Sequence, residues 1–106
     1  MFALYPIVML ILVMKIKIDL PYCHSLKEKR KVRNSLQEKL YRKFRVSVRE
    51  IAEQDLWQTL FLGLSFTALS NYEAEEQATK IIDFLDVQTN NYSAEILDCD
   101  WFIIDA

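Results

Sequence analysis

The residue types best suited to catalysis lie in two short polar segments that are far apart in the sequence. His24 and Ser25 belong to the first segment and Asp55 to the second, so a base, a nucleophile and a carboxylate are all present. Ser25, however, stands at the start of a predicted helix, where its hydroxyl is needed to bond the first free amides. No pattern for an oxyanion hole accompanies these residues. We therefore predict no catalytic residue and rank an enzyme below a binding module.

The sequence offers no motif for a metal or a cofactor. Cys23 and Cys99 belong to no CxxC pair, so neither a zinc site nor a disulfide framework is indicated. Glu50, Glu53 and Asp55 are close in sequence, but carboxylates in a hairpin are usually solvated. We predict no metal and no cofactor, and we expect a reduced, cytoplasmic protein.

Basic residues are concentrated in one segment of the chain. Residues 24–45 contain nine Lys or Arg and two Glu, a net charge of +7 with His neutral, whereas residues 46–106 carry a net charge of −10. This asymmetry predicts a face that binds a polyanion, or a surface that meets an acidic counterpart in an oligomer. An ordinary solvated helix face would also account for it. The residues predicted to bind an anion or a nucleic acid are His24, Lys27, Lys29, Arg30, Lys31 and Arg33.

The elements that position these residues follow from hydrophobic spacing and capping signals. The predicted order is a strand over residues 9–20, a helix capped by Ser25 that ends near Phe44, strands over residues 46–52 and 57–69, a helix capped by Asn71, and a strand over residues 94–104. The order βαββαβ, with two helices on one face of a four-stranded antiparallel sheet, is the ferredoxin-like α+β fold.

This topology brings the start of the first helix next to the hairpin between the second and third strands. The predicted polar cluster of the hairpin is Gln54, Asp55, Trp57 and Gln58. Lys29 falls near the middle of the apolar stripe of the first helix, where a cation needs a partner or an exit to solvent. We predict that Lys29 reaches Asp55 or Glu50; snorkelling past the end of the core is the alternative.

The sheet face opposite the helices is the second predicted binding surface. We expect it to expose Ile11, Val13 and Phe61, with Ile96 and Phe102 from the last strand, among charged residues. In that strand, alternation puts the other set on the opposite face: Leu97, Cys99, Trp101 and Ile103. A mixed apolar patch of this kind is typical of a partner surface, and a homodimer through it would bury the patch.

A chain of 106 residues with 52% hydrophobic residues is long enough for one domain, which we place at residues 9–106. The opening apolar run, residues 1–14, has no preceding basic residue and is shorter than the roughly 20 residues of a membrane span. No membrane association is predicted. Residues 1–8 form an extension, either a real arm or the product of an upstream start.

Several segments together resemble the YlxP-like family of small bacterial proteins. The resemblance covers about residues 9–102 and is carried most specifically by HSLKEKR at residues 24–30 and QDLWQ at residues 54–58. The sequence departs from the family pattern at Arg45 and Ala52, where Asn and Asp are usual. The resemblance implies a ferredoxin-like fold. Because genes of the family often lie near those for translation factors, it also implies RNA or the ribosome as a partner.

Overall fold

The computed structural model describes residues 7–106, which fold in the order βαββαβ. The elements are β1 (Leu10–Asp19), α1 (Leu26–Phe44), β2 (Ser47–Ala52), β3 (Thr59–Ala68), α2 (Asn71–Asn90) and β4 (Glu95–Asp105). All strand pairs are antiparallel and the strand order is β2-β3-β1-β4. The predicted ferredoxin-like fold is confirmed. Of the predicted extension, residues 1–6 lie outside the described residues.

The core lies between one face of the sheet and the two helices. Alternate residues of β1 and β3 are buried, as expected for strands that cover a core on one side. The apolar stripes of both helices join the same buried cluster, with Leu36 and Leu40 from α1 and Ile81 and Leu85 from α2. Within residues 7–106, no helix or strand covers the opposite face of the sheet, which we call the open sheet face.

The second helix is capped one residue earlier than predicted. Ser70, with extended backbone, accepts a hydrogen bond on its hydroxyl from the backbone N–H of Glu73 at 3.1 Å. Asn71 is already the first helical residue, so the prediction that it caps α2 is wrong. Both residues are good caps, and the one whose backbone stays extended takes the role.

A β-bulge in β4 changes which residues face the core. Lys17 pairs with Asp98 and the next residue, Ile18, pairs with Ile96, which leaves Leu97 as the extra residue. Leu97 is 52% exposed, whereas Ile96 packs against the core. The predicted faces of these two residues are therefore wrong, while Cys99, Trp101 and Ile103 pack as predicted.

The edge strand β2 carries a second irregularity and a contact with α1. The register with β3 shifts between Glu50 and Ala52, and the side chain of Ile51 lies across Gly63. A Cβ atom at Gly63 would come within 2.6 Å of the Ile51 Cγ2 atom, so the glycine is needed for this close approach. From α1, the Gln37 side-chain amide donates to the Val48 carbonyl at 3.3 Å.

Candidate nucleic-acid interface

The first turn of α1 is fixed by reciprocal capping bonds. The Ser25 hydroxyl accepts from the backbone N–H of Glu28 at 3.1 Å, and the Glu28 carboxylate accepts from the backbone N–H of His24 at 2.7 Å. These bonds satisfy donors that the helix itself leaves free. They also commit the Ser25 oxygen to the helix, which supports the interpretation of this residue as a cap. The predicted capping box of α1 is confirmed.

Lys29 is buried and fully engaged. Its ammonium lies 2.7 Å from Glu50 Oε2 and donates to the backbone carbonyls of Glu53 at 2.9 Å and Leu56 at 2.5 Å. The prediction that Lys29 reaches Glu50 is confirmed, and Asp55 is not its partner. With 1% of its surface exposed, Lys29 is not available to a phosphate group, so it lies outside the exposed basic surface in contrast to the prediction.

Glu50 joins two cations of α1 below the surface. One carboxylate oxygen forms the close ion pair with Lys29, at an angle that departs from that of a good hydrogen bond. The other accepts from the Arg33 guanidinium at 3.1 Å. Arg33 also donates to the Asn34 side chain and is 26% exposed. Arg33 is therefore mainly a partner of Glu50, which makes it a weaker candidate for nucleic-acid binding than the charge count suggests.

Three of the predicted binding residues remain exposed on the outer side of α1, namely Lys27, Arg30 and Lys31. Within residues 7–106, none of the three forms an ion pair. Positions three and four apart lie on the same side of a helix, so these cations form one surface over the first turns. We call Lys27, Arg30 and Lys31 the basic surface. Further along the helix, Arg42 is already paired with Glu38.

The hairpin and the start of α1 converge as predicted. The Gln58 side-chain amide donates to the carbonyls of Pro21 and Cys23, both at 3.3 Å, and the backbone N–H of Leu20 donates to the Gln58 carbonyl at 2.9 Å. Gln58 therefore holds the loop before α1 rather than offering its amide to a ligand. A shallow hollow opens between the two segments and is lined by Ser25, Leu26, Asp55, Leu56 and Trp57.

Trp57 is the exposed aromatic side chain of this hollow. Half of its surface is accessible, as is 49% of the adjacent Leu56. His24, Gln54 and Asp55 are also exposed around the same end of the molecule. An exposed aromatic ring next to the start of α1 can stack on a nucleic-acid base while exposed cations of the helix contact phosphates.

Cys23 lies just before α1 and is a buried free cysteine. Burial raises the pKa of the Cys23 thiol, and the nearby Glu28 carboxylate raises it further, although Lys29 acts in the opposite direction. Cys23 is therefore protonated at neutral pH rather than an activated thiolate. Across residues 7–106 no group of three His, Cys, Asp or Glu side chains is placed to hold a metal ion.

On the open sheet face, the three predicted partner residues Ile11, Val13 and Phe61 are all half-buried. Lys17 lies over the Phe61 ring at 5.5 Å and covers part of it. Phe102 is 46% exposed, and the neighbouring Ile104, which the sequence analysis did not single out, is 43% exposed. The strict alternation of β4 after its bulge was the signal that could have identified Ile104.

Together, the fold and the basic surface define a small ferredoxin-like α+β protein. The chain belongs to a family described as "Protein of unknown function (DUF503)", whose profile matches residues 11–101. It is 36% identical over 62 residues to a protein of Bacillus subtilis (strain 168) named "Uncharacterized protein YlxP", an alignment that covers 58% of this chain and 67% of the relative. The resemblance inferred from the sequence is thus confirmed.

A solved structure with a similar fold is the de novo designed protein Foldit4. The superposition covers 91% of this chain and 96% of the designed protein, with a TM-score of 0.53 and 10% sequence identity. At this identity the likeness concerns the fold alone. In the part of the chain that the structure describes, neither helix has the length and apolar character needed to cross a membrane.

Proposed function

We propose that this protein is a binding module for structured RNA of the ribosomal class, and that the basic surface of α1 makes the phosphate contacts. The observation that carries the proposal is the set of three exposed cations on the first turns of α1, none of which has an ion-pair partner among residues 7–106. Cations that are already paired gain less from a phosphate, because an existing ion pair must first be broken. The basic surface carries no such cost.

The surroundings of the basic surface add a means of contacting bases. Trp57 and His24 are exposed beside the first turn of α1, and aromatic side chains stack on unpaired bases of RNA loops. The N-terminal end of a helix also carries a partial positive charge that favours anions. A role of this kind agrees with the cytoplasmic location expected from the sequence.

The buried Lys29 contributes to the proposed binding site indirectly. Lys29 ties α1 to the carbonyls of Glu53 and Leu56, and so fixes the loop that carries Trp57 relative to the helix. The backbone segments that carry Trp57 and the basic surface are therefore fixed relative to each other. Such preorganisation lowers the ordering cost of binding.

The test is a titration of ribosomal RNA fragments at 50 and 200 mM salt, comparing the parent protein with a Lys27→Gln, Arg30→Gln, Lys31→Gln variant. Three phosphate contacts to single-stranded RNA predict a slope of about −2 in log affinity against log salt, or roughly a twentyfold weakening over this range. We expect the variant to lose this dependence and most of the affinity.

The matched control is an Arg42→Gln, Lys80→Gln variant. It removes exposed cations that are already paired, Arg42 with Glu38 and Lys80 with Glu76. We expect its affinity to stay within about threefold of the parent, since those cations have no free charge to offer. Equal losses in both variants, or an affinity indifferent to salt, would contradict the proposal.

A further inference from the structure

The open sheet face has a hollow on one side and a ridge on the other. The hollow, of about 290 Å³, lies over β1, β2 and β3, where Ser47 and Ser65 have small side chains and Ile51 lies close against Gly63. Its lining includes the exposed residues Ser47, Arg49 and Ile51 and the half-buried Ser65. The ridge lies on β4, where Phe102 and Ile104 are 46% and 43% exposed. The height of the face therefore changes from the β2 edge to the β4 edge of the sheet.

Charge on this face is also divided between the two edges. The strand register aligns one row across the middle of the sheet, running Arg49, Gly63, Lys15 and Asp100 from β2 to β4. The next row runs Ser47, Ser65, Val13 and Phe102. A cation thus occupies the β2 edge and a carboxylate the β4 edge of the same row. In residues 7–106 neither Arg49 nor Asp100 forms an ion pair.

We propose that the open sheet face binds a second copy of this chain, related by a two-fold axis parallel to the strands. This rotation keeps each row in place and exchanges the edges, so β4 of one copy lies over β2 of the other. Asp100 then faces Arg49, and Lys15 faces Gly63 and the Ile51 side chain that lies across it. In the next row Phe102 meets Ser47 at the hollow. One operation therefore matches the ridge to the hollow and Asp100 to Arg49.

The size of the face suits such a dimer. Four strands about 4.8 Å apart and about ten residues long present on the order of 600 Å² before side-chain relief is added. A standard interface buries roughly 800 Å² per partner. Two packed sheets keep their strand directions within about 30°, so the central row of Arg49 and Asp100 stays in register even where the outer rows diverge.

The experiment uses sedimentation velocity on the full chain from 1 to 200 µM, without RNA. We expect a concentration-dependent dimer for the parent. Arg49→Asp and Asp100→Arg each place like charges at both symmetry-related contacts and should weaken dimerisation at least about tenfold. An Asp83→Arg variant, altered at an exposed site on α2, is the matched control and should dimerise as the parent does.

Mixing the two variants gives the decisive result. One copy then carries acids at positions 49 and 100 and the other carries arginines, so both contacts become attractive in the mixed pair alone. We expect a heterodimer from two variants that are each monomeric alone. Circular dichroism of each variant serves to check that it is folded. A monomeric parent, a dimer unaffected by either charge reversal, or no heterodimer on mixing would overturn the proposal. The proposed RNA contact on α1 would be untouched by any of these results.

Discussion

The two helices begin in the same way and differ one turn later. In each, a serine hydroxyl accepts from the backbone N–H of a glutamate three residues on, at 3.1 Å. Four residues after these caps, α1 has Lys29 and α2 has Ala74, and both are buried, with exposures of 1% and 0%. The positions correspond in the two halves of the fold, yet one holds a cation and the other a methyl group.

This difference shows that a cap fixes where a helix starts but not what its first turn contacts. Lys29 reaches two carbonyls of the hairpin loop and a buried carboxylate, so the start of α1 is joined to the loop by polar contacts. Ala74 lies within the apolar cluster, so the start of α2 is held by packing. The helix start that is held by polar contacts is therefore also the one that carries the basic surface.

The largest expected effect comes from placing a lysine at the corresponding position of α2. Ala74→Lys adds volume to a packed site, at about 1–3 kcal/mol, and a buried cation without a built acceptor set, at several kcal/mol more. Together these costs approach a typical stability of about 5–15 kcal/mol, so we expect a largely unfolded protein by circular dichroism. Ala74→Leu separates volume from charge and should remain folded. An Ala74→Lys variant as stable as the parent would show that the two positions are equivalent.

A smaller effect is expected from removing the carboxylate that pairs with Lys29. Glu50→Ala leaves a buried cation short of its partner and should lower the free energy of unfolding by about 3–5 kcal/mol in urea denaturation. Replacing both Lys29 and Glu50 with Met should cost less than the sum of the single changes. Glu53→Ala is the control, because only the Glu53 carbonyl contacts Lys29, and should stay within about 0.5 kcal/mol. Additive single effects would contradict a coupled pair.

The smallest effects are expected from removing the serine cap that each helix has. Ser25→Ala and Ser70→Ala each remove one capping bond and should each lower the free energy of unfolding by about 1 kcal/mol. Thermal melts of the two variants should therefore coincide. A clearly greater loss for Ser25→Ala would mean that its cap also positions Lys29 for the hairpin.

Much of the fold could be predicted from local patterns. Alternating apolar residues identified the strands, and the serine–glutamate spacing identified the start of α1, because both patterns reflect contacts between near neighbours. That Lys29 would reach either Glu50 or Asp55 could also be predicted, since a helical wheel places the lysine toward the core and the topology brings the second strand and its hairpin beside it; the structure selects Glu50.

What could not be predicted depends on contacts between distant segments. The bulge that exposes Leu97 and buries Ile96 arises from the pairing of β4 with β1, and an alternating sequence does not indicate where the register shifts. Likewise, the count of basic residues in α1 does not reveal that Lys29 and Arg33 are engaged by one carboxylate. Only the position of Glu50 in the folded protein separates the cations that it pairs with from those that stay exposed.

Both edge strands of the sheet carry an irregularity, and this bears on how the protein behaves when concentrated. A regular edge strand is a template on which further strands can add, which leads to fibrils. Here the register breaks at Ile51 in β2 and at Leu97 in β4, and Gln37 occupies a carbonyl of β2. An incoming strand would meet a mismatch at either edge. The sheet can therefore present the face that residues 7–106 leave open without its edge strands adding further strands from other copies.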